Sequence, residues 1–318
     1  MIPTTDLPGT LRGLLDQIPP GRVTTFGDLA EALGDLSAAR WVAQELAEMV
    51  DGPVHRVVKR TGEIVLSNVA RAAVQRERLL EEGIPITDTG KLDLEHFRWK
   101  DFTCDGPLKR LAEWQDGVAI KARNVADVEI PRVMAGLDVS YASDHEAVAA
   151  YVEVDVKTHA LLFSATHRAA VAFPYITGYL TFRELPIHLA LLDLVRQQKP
   201  LAKVILVDGA GQLHPRRAGI AVAVGVVGAC VTVGVAKHRL VGRKVSEDAD
   251  PLLEDQGEIL GQMLHGTNRT HPVYVSPGHS IALASAVRCV REVWRSGRWP
   301  VPIQLADQLS RKIAKQSR

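Results

Sequence analysis

Three acids stand where a carboxylate is costly unless it is used. Asp138 interrupts the apolar run 134–139, Asp208 ends the apolar run VILVD, and Glu184 closes the aromatic-rich stretch PYITGYLTFRE. A carboxylate inside or at the end of a buried strand loses its hydration unless it is paired or bound to a cation. Several such oxygens brought together suit a hard cation, and magnesium is one that keeps waters of its own for a phosphate and a nucleophile. The alternative is that each acid caps a following turn or helix. Asp208, directly before Gly209, fits that alternative about as well; for all three acids together it explains less. Basic and imidazole groups follow in chain order: His214-Pro215-Arg216-Arg217 soon after Asp208, Lys237 at the end of VTVGVAK, and His279 in Ser-Pro-Gly-His after VYV. Phosphodiester cleavage needs cationic groups near the developing charge and a proton-transfer group near neutral pKa. An apolar strand followed by one polar group recurs at Asp138, Asp208, Lys237 and His279, which predicts that the four share one edge of a sheet.

The elements that would present these groups change character along the chain. Up to about residue 100 the pattern is helical: 11–18 has apolar residues at helical spacing and Pro19-Pro20-Gly21 stops it. Thr24-Thr25 can cap a second helix over 26–33, ended by Gly34, and Ser37 a third from 38 to about 49. Two short helices around a tight glycine-containing turn make a helix-turn-helix pattern, weak evidence for DNA on spacing alone. A boundary is expected in 85–105, followed by a helix over 108–123. From Val133 strands take over: AVAAYVEVDV and HALLFSAT alternate like hairpin partners, 185–197 reads as a helix, and 203–207 is a strand, fully apolar after Lys203. Strands, helices and apolar parallel-type runs together indicate an α/β domain.

With 318 residues, 46% hydrophobic and 24% charged, the chain suits two ordinary domains. The formal net charge of +1 hides an asymmetry, because residues 1–104 carry 12 Lys/Arg against 16 Asp/Glu. A nucleic-acid binder need be basic only where it meets phosphate, so this total decides nothing. Cys104, Cys230 and Cys289 form no CxxC pair, which excludes a disulfide framework or zinc ribbon and suits a reducing cytoplasm. The first residues contain no apolar signal-peptide core. The stretch 219–236 has 18 residues without a charge, the lower edge of membrane-spanning length. Its glycines and the β-branched run VTVGV point instead to a buried helix and then a buried strand.

GLDVSY, PYITGYLTFRE, VDGAGQLHPRRAGIA, GVAKHRLVGR and YVSPGHSIALASAV resemble, in order, the motif set of endonuclease V, spread over about 110 to 310. The resemblance implies an α/β, RNase H-like mixed sheet with flanking helices. It also implies Mg²⁺ held around Asp138 and Asp208 with help from Glu184. His214, Lys237 and His279 match further active-site positions of that family. Tyr175 matches its wedge residue, whose ring fills the gap left by an extruded base. The implied activity is cleavage of the second phosphodiester bond 3′ to deoxyinosine, the product of adenine deamination. Thr177 departs from the usual PYIPG of the wedge motif.

A second resemblance covers 7 to 103, where IPPGRVTTFGDLAEALG, SAARWVAQELA and GPVHRVVKRTGEI are similar to the DNA-binding domain of O6-alkylguanine-DNA alkyltransferases. That domain is small, mostly helical and of winged-helix type. Val54 stands where the family's acceptor cysteine would be, so the match is to alkyltransferase-like proteins, which bind alkylated DNA without repairing it. Arg40 matches the finger that enters the base stack and Phe26 the aromatic residue that rotates the nucleotide. Trp41 and Gln44 depart from the small residues usual after the finger. The expected organisation is a DNA-binding domain over 1–104 and a nuclease domain over 105–318, with no membrane partner and no nucleotide cofactor. Inosine-containing RNA as substrate, or a binding-only damage sensor, are the readings left beside a DNA-repair endonuclease.

Overall fold

The computed structural model describes residues 2–64, 69–123, 127–266, 271–294 and 297–316. The chain divides into two units, Met1–Glu113 with Tyr175–Thr177, and Trp114–Pro174 with Gly178–Arg318.

In the first unit α1 (Leu7–Leu15) begins earlier than the apolar spacing suggests. Asp6 caps it by accepting the Gly9 N–H at 2.9 Å, and Pro8 sits in the first turn, where a missing N–H does no harm. β1 (Thr24–Thr25) leads into α2 (Phe26–Ala32) through a capping box: Thr25 Oγ1 accepts the Asp28 N–H, and the Asp28 carboxylate accepts the Thr25 N–H. The cap expected of Ser37 does not form. Asp35 accepts the Ser37 N–H at 2.8 Å and starts a single tight turn, Leu36–Ala38, and α3 (Ala39–Glu48) follows without a side-chain cap. β2 (Val57–Val58) pairs parallel with β1, and α4 (Val69–Glu81) and α5 (Leu94–Phe97) complete the unit. Val23, Val58, Ile64, Leu79 and Ile84 form its core. The chain after α5 returns to that core: Arg98 bridges Val23, and its guanidinium donates to Asp28 at 2.7 and 2.9 Å. The unit is mostly helical, as expected.

After α6 (Pro107–Lys121) come three long antiparallel strands, β3 (Val133–Ser143), β4 (Glu146–Asp155) and β5 (Leu161–Ala170). Then follow α7 (Leu180–Gln198), β6 (Val204–Asp208), α8 (Ile220–Val227) and β7 (Thr232–Ala236). The remaining elements are β8 (Arg243–Lys244), β9 (Leu252–Asp255), β10 (Glu258–His265), β11 (Pro272–His279), α9 (Leu283–Glu292) and α10 (Val301–Lys315). One sheet of nine strands results among the described residues, in the order β5-β4-β3-β6-β7-β11-β10-β9-β8. Within this sheet, among the described residues, only β3-β6 and β6-β7 run parallel. Three antiparallel strands joined at β3 to two parallel ones are the RNase H-like arrangement.

The apolar stretch 219–236 is α8 followed by β7, both buried, and among the described residues no helix is long and apolar enough to cross a membrane. α7 starts at Leu180, earlier than the expected 185, and carries Pro186 in its interior. The proline removes one helical hydrogen bond, yet the helix continues with nine buried side chains, Glu184 among them.

Candidate active site

Leu137 of β3 pairs with Val207 of β6, so Asp138 and Asp208 are the next residues on adjacent parallel strands. Side chains alternate across a sheet, which puts Asp138 on the face of Gly136. A Cβ on Gly136 would lie 2.3 Å from the Pro302 carbonyl, so α10 reaches β3 only because this position has no side chain. α10 then carries Asp307 and Ser310 onward from Ile303, about one and two turns along. Ser310 Oγ donates to Asp138 Oδ2 at 2.6 Å, with Ser140 Oγ 2.7 Å from Ser310 Oγ. One oxygen each from Asp138, Asp208 and Asp307 lie within 4.8 Å of one another.

Lys237, just past β7, approaches this group with Nζ 2.5 Å from Asp208 Oδ2 and 3.8 Å from Asp307 Oδ1. Burial alone would lower its pKa, but the charge and hydrogen bond of Asp208 hold it up and the amine stays charged. Asp138 is driven the other way: burial and the neighbouring Asp208 charge push its carboxyl far above the usual range.

Glu184 reaches the site from the other face of the sheet. Tyr141, an odd-numbered neighbour of Asp138 and Ser140 on β3, points to that face and donates its hydroxyl to Glu184 Oε1 at 2.7 Å. Burial raises Glu184 to about 7, with the Asp208 charge adding to the rise and the Tyr141 hydrogen bond opposing it. Glu184 is therefore close enough to feel Asp208 but is not one of the three clustered carboxylates.

One imidazole, His279, is placed otherwise than the sequence pattern predicts. β11 runs antiparallel to β7 and pairs His279 with Thr232, while Asp208 pairs with Val235. His279 thus falls at the opposite end of β7 from Lys237, roughly 10 Å along the strand from the Asp208 register position. Its Nδ1 accepts the Arg123 N–H at 3.3 Å. The single shared edge holds for Asp138, Asp208 and Lys237 and fails for His279, because a strand followed by a polar residue does not reveal which way the strand runs. His214 is buried with both ring nitrogens engaged. Nδ1 accepts the Arg216 N–H at 3.2 Å, which leaves Nε2 protonated and donating to the Gly178 carbonyl at 3.2 Å. Burial and the Arg216 charge lower it to about 4, so it is neutral and holds a loop.

Asp307 is the residue the motifs missed. A signal was present: Ile303, Ala306, Ser310 and Ala314 form the buried stripe of an amphipathic helix, and Asp307 is the acid inserted in it.

Tyr175 stands 61% exposed in the loop before α7, and Ile176 beside it is buried. In the first unit Arg40 is exposed near the start of α3. Phe26 and Val54 line one cavity of about 550 Å³, together with Leu46, Val57 and the cations Lys59, Arg71 and Arg78. His55, next to Val54, is held by Glu82 Oε1 at 2.8 Å, and Arg56 grips the same carboxylate at 2.7 Å. The one cysteine of this unit, Cys104, does not line that cavity.

The donor set of the acidic cluster is all oxygen, with carboxylates on three separate elements, a lysine partly offsetting their charge and a serine hydroxyl donating to Asp138. Hard divalent cations are held in this way, so the residues fit magnesium or a similar ion.

Comparisons with known proteins bear on both units. A family model described as Endonuclease V matches residues 116–308, and one described as 6-O-methylguanine DNA methyltransferase, DNA binding domain, matches 11–84. The Bifunctional methyltransferase/endonuclease of Picrophilus torridus is 34% identical over 304 residues, covering 95% of this chain and 94% of that protein. The Endonuclease V of Azotobacter vinelandii is 40% identical over 188 residues, 57% of this chain and 83% of that one. Among solved structures, Ciona intestinalis Endonuclease V in complex with a 23mer DNA containing an inosine followed by a ribo-adenosine superposes with a TM-score of 0.62. It is 27% identical and covers 68% of this chain and all of that one. Human ENDOV superposes with a TM-score of 0.59 at 30% identity, covering 65% of this chain and 98% of that one.

Proposed function

The chain belongs to the endonuclease V family, with an alkyltransferase-type DNA-binding domain ahead of the nuclease, and from that premise we propose a Mg²⁺-dependent endonuclease that cuts DNA at the second phosphodiester bond 3′ to deoxyinosine. The observation that carries this reading is the convergence of Asp138, Asp208 and Asp307 within 4.8 Å on an RNase H-like sheet. These three would hold the cation, with Glu184 beside Asp208. A bound divalent ion supplies charge neutralisation at the phosphate and acidifies water. Lys237, charged and already beside Asp208, is placed to stabilise negative charge developing on the phosphate. Tyr175, exposed on its loop, is suited to stack where the inosine leaves the duplex. His214 is assigned to holding the loop rather than to proton transfer.

Residues 1–104 act in this reading as a module that senses alkylated guanine, and 105–318 as the nuclease. Arg40 would enter the stack and Phe26 help rotate the nucleotide, with Val54 lining the cavity that receives the base. Valine cannot accept an alkyl group, so the methyltransferase half of the Picrophilus torridus protein's name is not carried over. Mapping the cut position on an inosine duplex, and comparing kcat/KM on matched deoxyinosine and inosine oligonucleotides, tests the substrate. A cut elsewhere, or a ribonucleotide preference, would replace this reading with that of an RNA-directed enzyme.

A further inference from the structure

Gly178 ends the loop that carries the exposed Tyr175 and has a positive φ of 84°, a backbone state in which glycine is unstrained. Its carbonyl oxygen accepts from three side chains at once: Gln115 Nε2 at 3.1 Å, His214 Nε2 at 3.2 Å and Arg216 Nη1 at 3.5 Å. Gln115 is the hub of this arrangement. It is fully buried on α6, its amide also donates to the Ala218 carbonyl at 3.4 Å, and its Oε1 accepts from Arg216 Nη1 at 3.3 Å. Arg216 in turn donates to the Tyr179 hydroxyl at 2.7 Å and lies over that ring. One amide thus fastens the end of the loop before α7 to the segment that follows His214. A buried amide with both donor hydrogens engaged and its oxygen accepting fixes backbone position more tightly than apolar packing does. Thr177 adds weight, because the loop lacks the proline of the PYIPG motif and has less intrinsic stiffness.

We propose that Gln115 is a positioning residue for lesion discrimination, acting through Gly178 on the loop that presents Tyr175. The proposal rests on the inosine-directed nuclease reading. A wedge ring can replace a lost stacking partner only if its backbone is held in place while the base leaves, a demand that a single strand does not make. Releasing the clamp should therefore penalise duplex substrates more than single strands.

The test uses the full chain and two substitutions, Gln115→Leu and Gln115→Glu, with kcat/KM measured on deoxyinosine in duplex and in single-stranded oligonucleotides. Gln115→Glu keeps the volume and the Arg216 partner but turns the donor that faces two carbonyls into an acceptor. The expected result is about a tenfold fall in the duplex to single-strand ratio for both variants. Thermal unfolding identifies a variant that does not fold; should Gln115→Leu be one, Gln115→Glu decides alone. A ratio within threefold of wild type in a folded variant overturns the proposal. Equal losses on both substrates also overturn it, because they mean Gln115 only supports the fold. Failure of the wild-type protein to cut inosine would instead reject the substrate reading beneath it.

Discussion

Glu184→Gln separates the stability of the site from its function, and the buried position of Glu184 sets the size of the effect. Its carboxyl is raised from 4.5 to about 7, chiefly by burial, with the Asp208 charge adding to it. The folded protein therefore holds this proton more tightly than the unfolded chain does. Stability from this group is fully present below pH 4.5 and is lost as pH rises to 7, by roughly 3 kcal/mol in all. Glutamine removes that loss and can still accept the Tyr141 hydroxyl through its carbonyl. Its amide donors have no assured partner, which costs about 1 kcal/mol. Without divalent ions, the variant should be about 1 kcal/mol less stable than wild type at pH 4.5 and about 2 kcal/mol more stable at pH 8.5. Pulse proteolysis across a urea series in EDTA, following fragments of the nuclease unit, measures both. A variant that is less stable at pH 8.5, or a difference that does not change with pH, would refute the reasoning.

Asp138→Ala, Asp208→Ala and Asp307→Ala should each abolish cleavage while leaving inosine-DNA binding largely in place; any of the three cutting within tenfold of wild type in Mg²⁺ would remove that residue from the cation site. Tyr175→Ala should weaken discrimination between inosine and undamaged duplexes by ~1–3 kcal/mol in binding titrations, with a smaller effect on single strands. Glu82→Gln should destabilise the N-terminal unit by about 2 kcal/mol at pH 7, because burial is outweighed by the Arg56 and His55 hydrogen bonds that hold Glu82 down at about 2. That difference should shrink as pH falls from 4.5 towards 2, and unit-specific proteolysis in urea reads it. The full chain should bind an O6-methylguanine duplex more tightly than a plain one at fixed salt and remain unmethylated by mass spectrometry; Arg40→Ala retaining that preference would leave only a DNA tether.

Asp138 and Asp208 were legible because an acid inside an apolar strand has few explanations, and the register places them side by side. The buried helix and strand at 219–236 were legible for a similar reason, since glycines and β-branched residues do not suit one long helix. Local signals carried less about direction and distance. The run ending at His279 reads like the one ending at Lys237, yet β11 enters the sheet antiparallel and takes its last residue to the far end of β7. Asp307 lies remote in sequence from the other acids and reaches them only because Gly136 lets α10 settle on β3. The role of Gln115 is likewise non-local: a glutamine in an amphipathic helix looks like surface until its carbonyl partners, 63 and 103 residues away, are known.

The most direct measurement is nicking of a duplex with a single deoxyinosine by the full chain, in Mg²⁺ and in EDTA, beside the same duplex with adenine. Cleavage at the second phosphodiester bond 3′ to the inosine, dependent on Mg²⁺ and absent from the adenine duplex and from Asp307→Ala, is the expected result. Cleavage that persists in EDTA, or that does not distinguish inosine from adenine, would contradict the assignment.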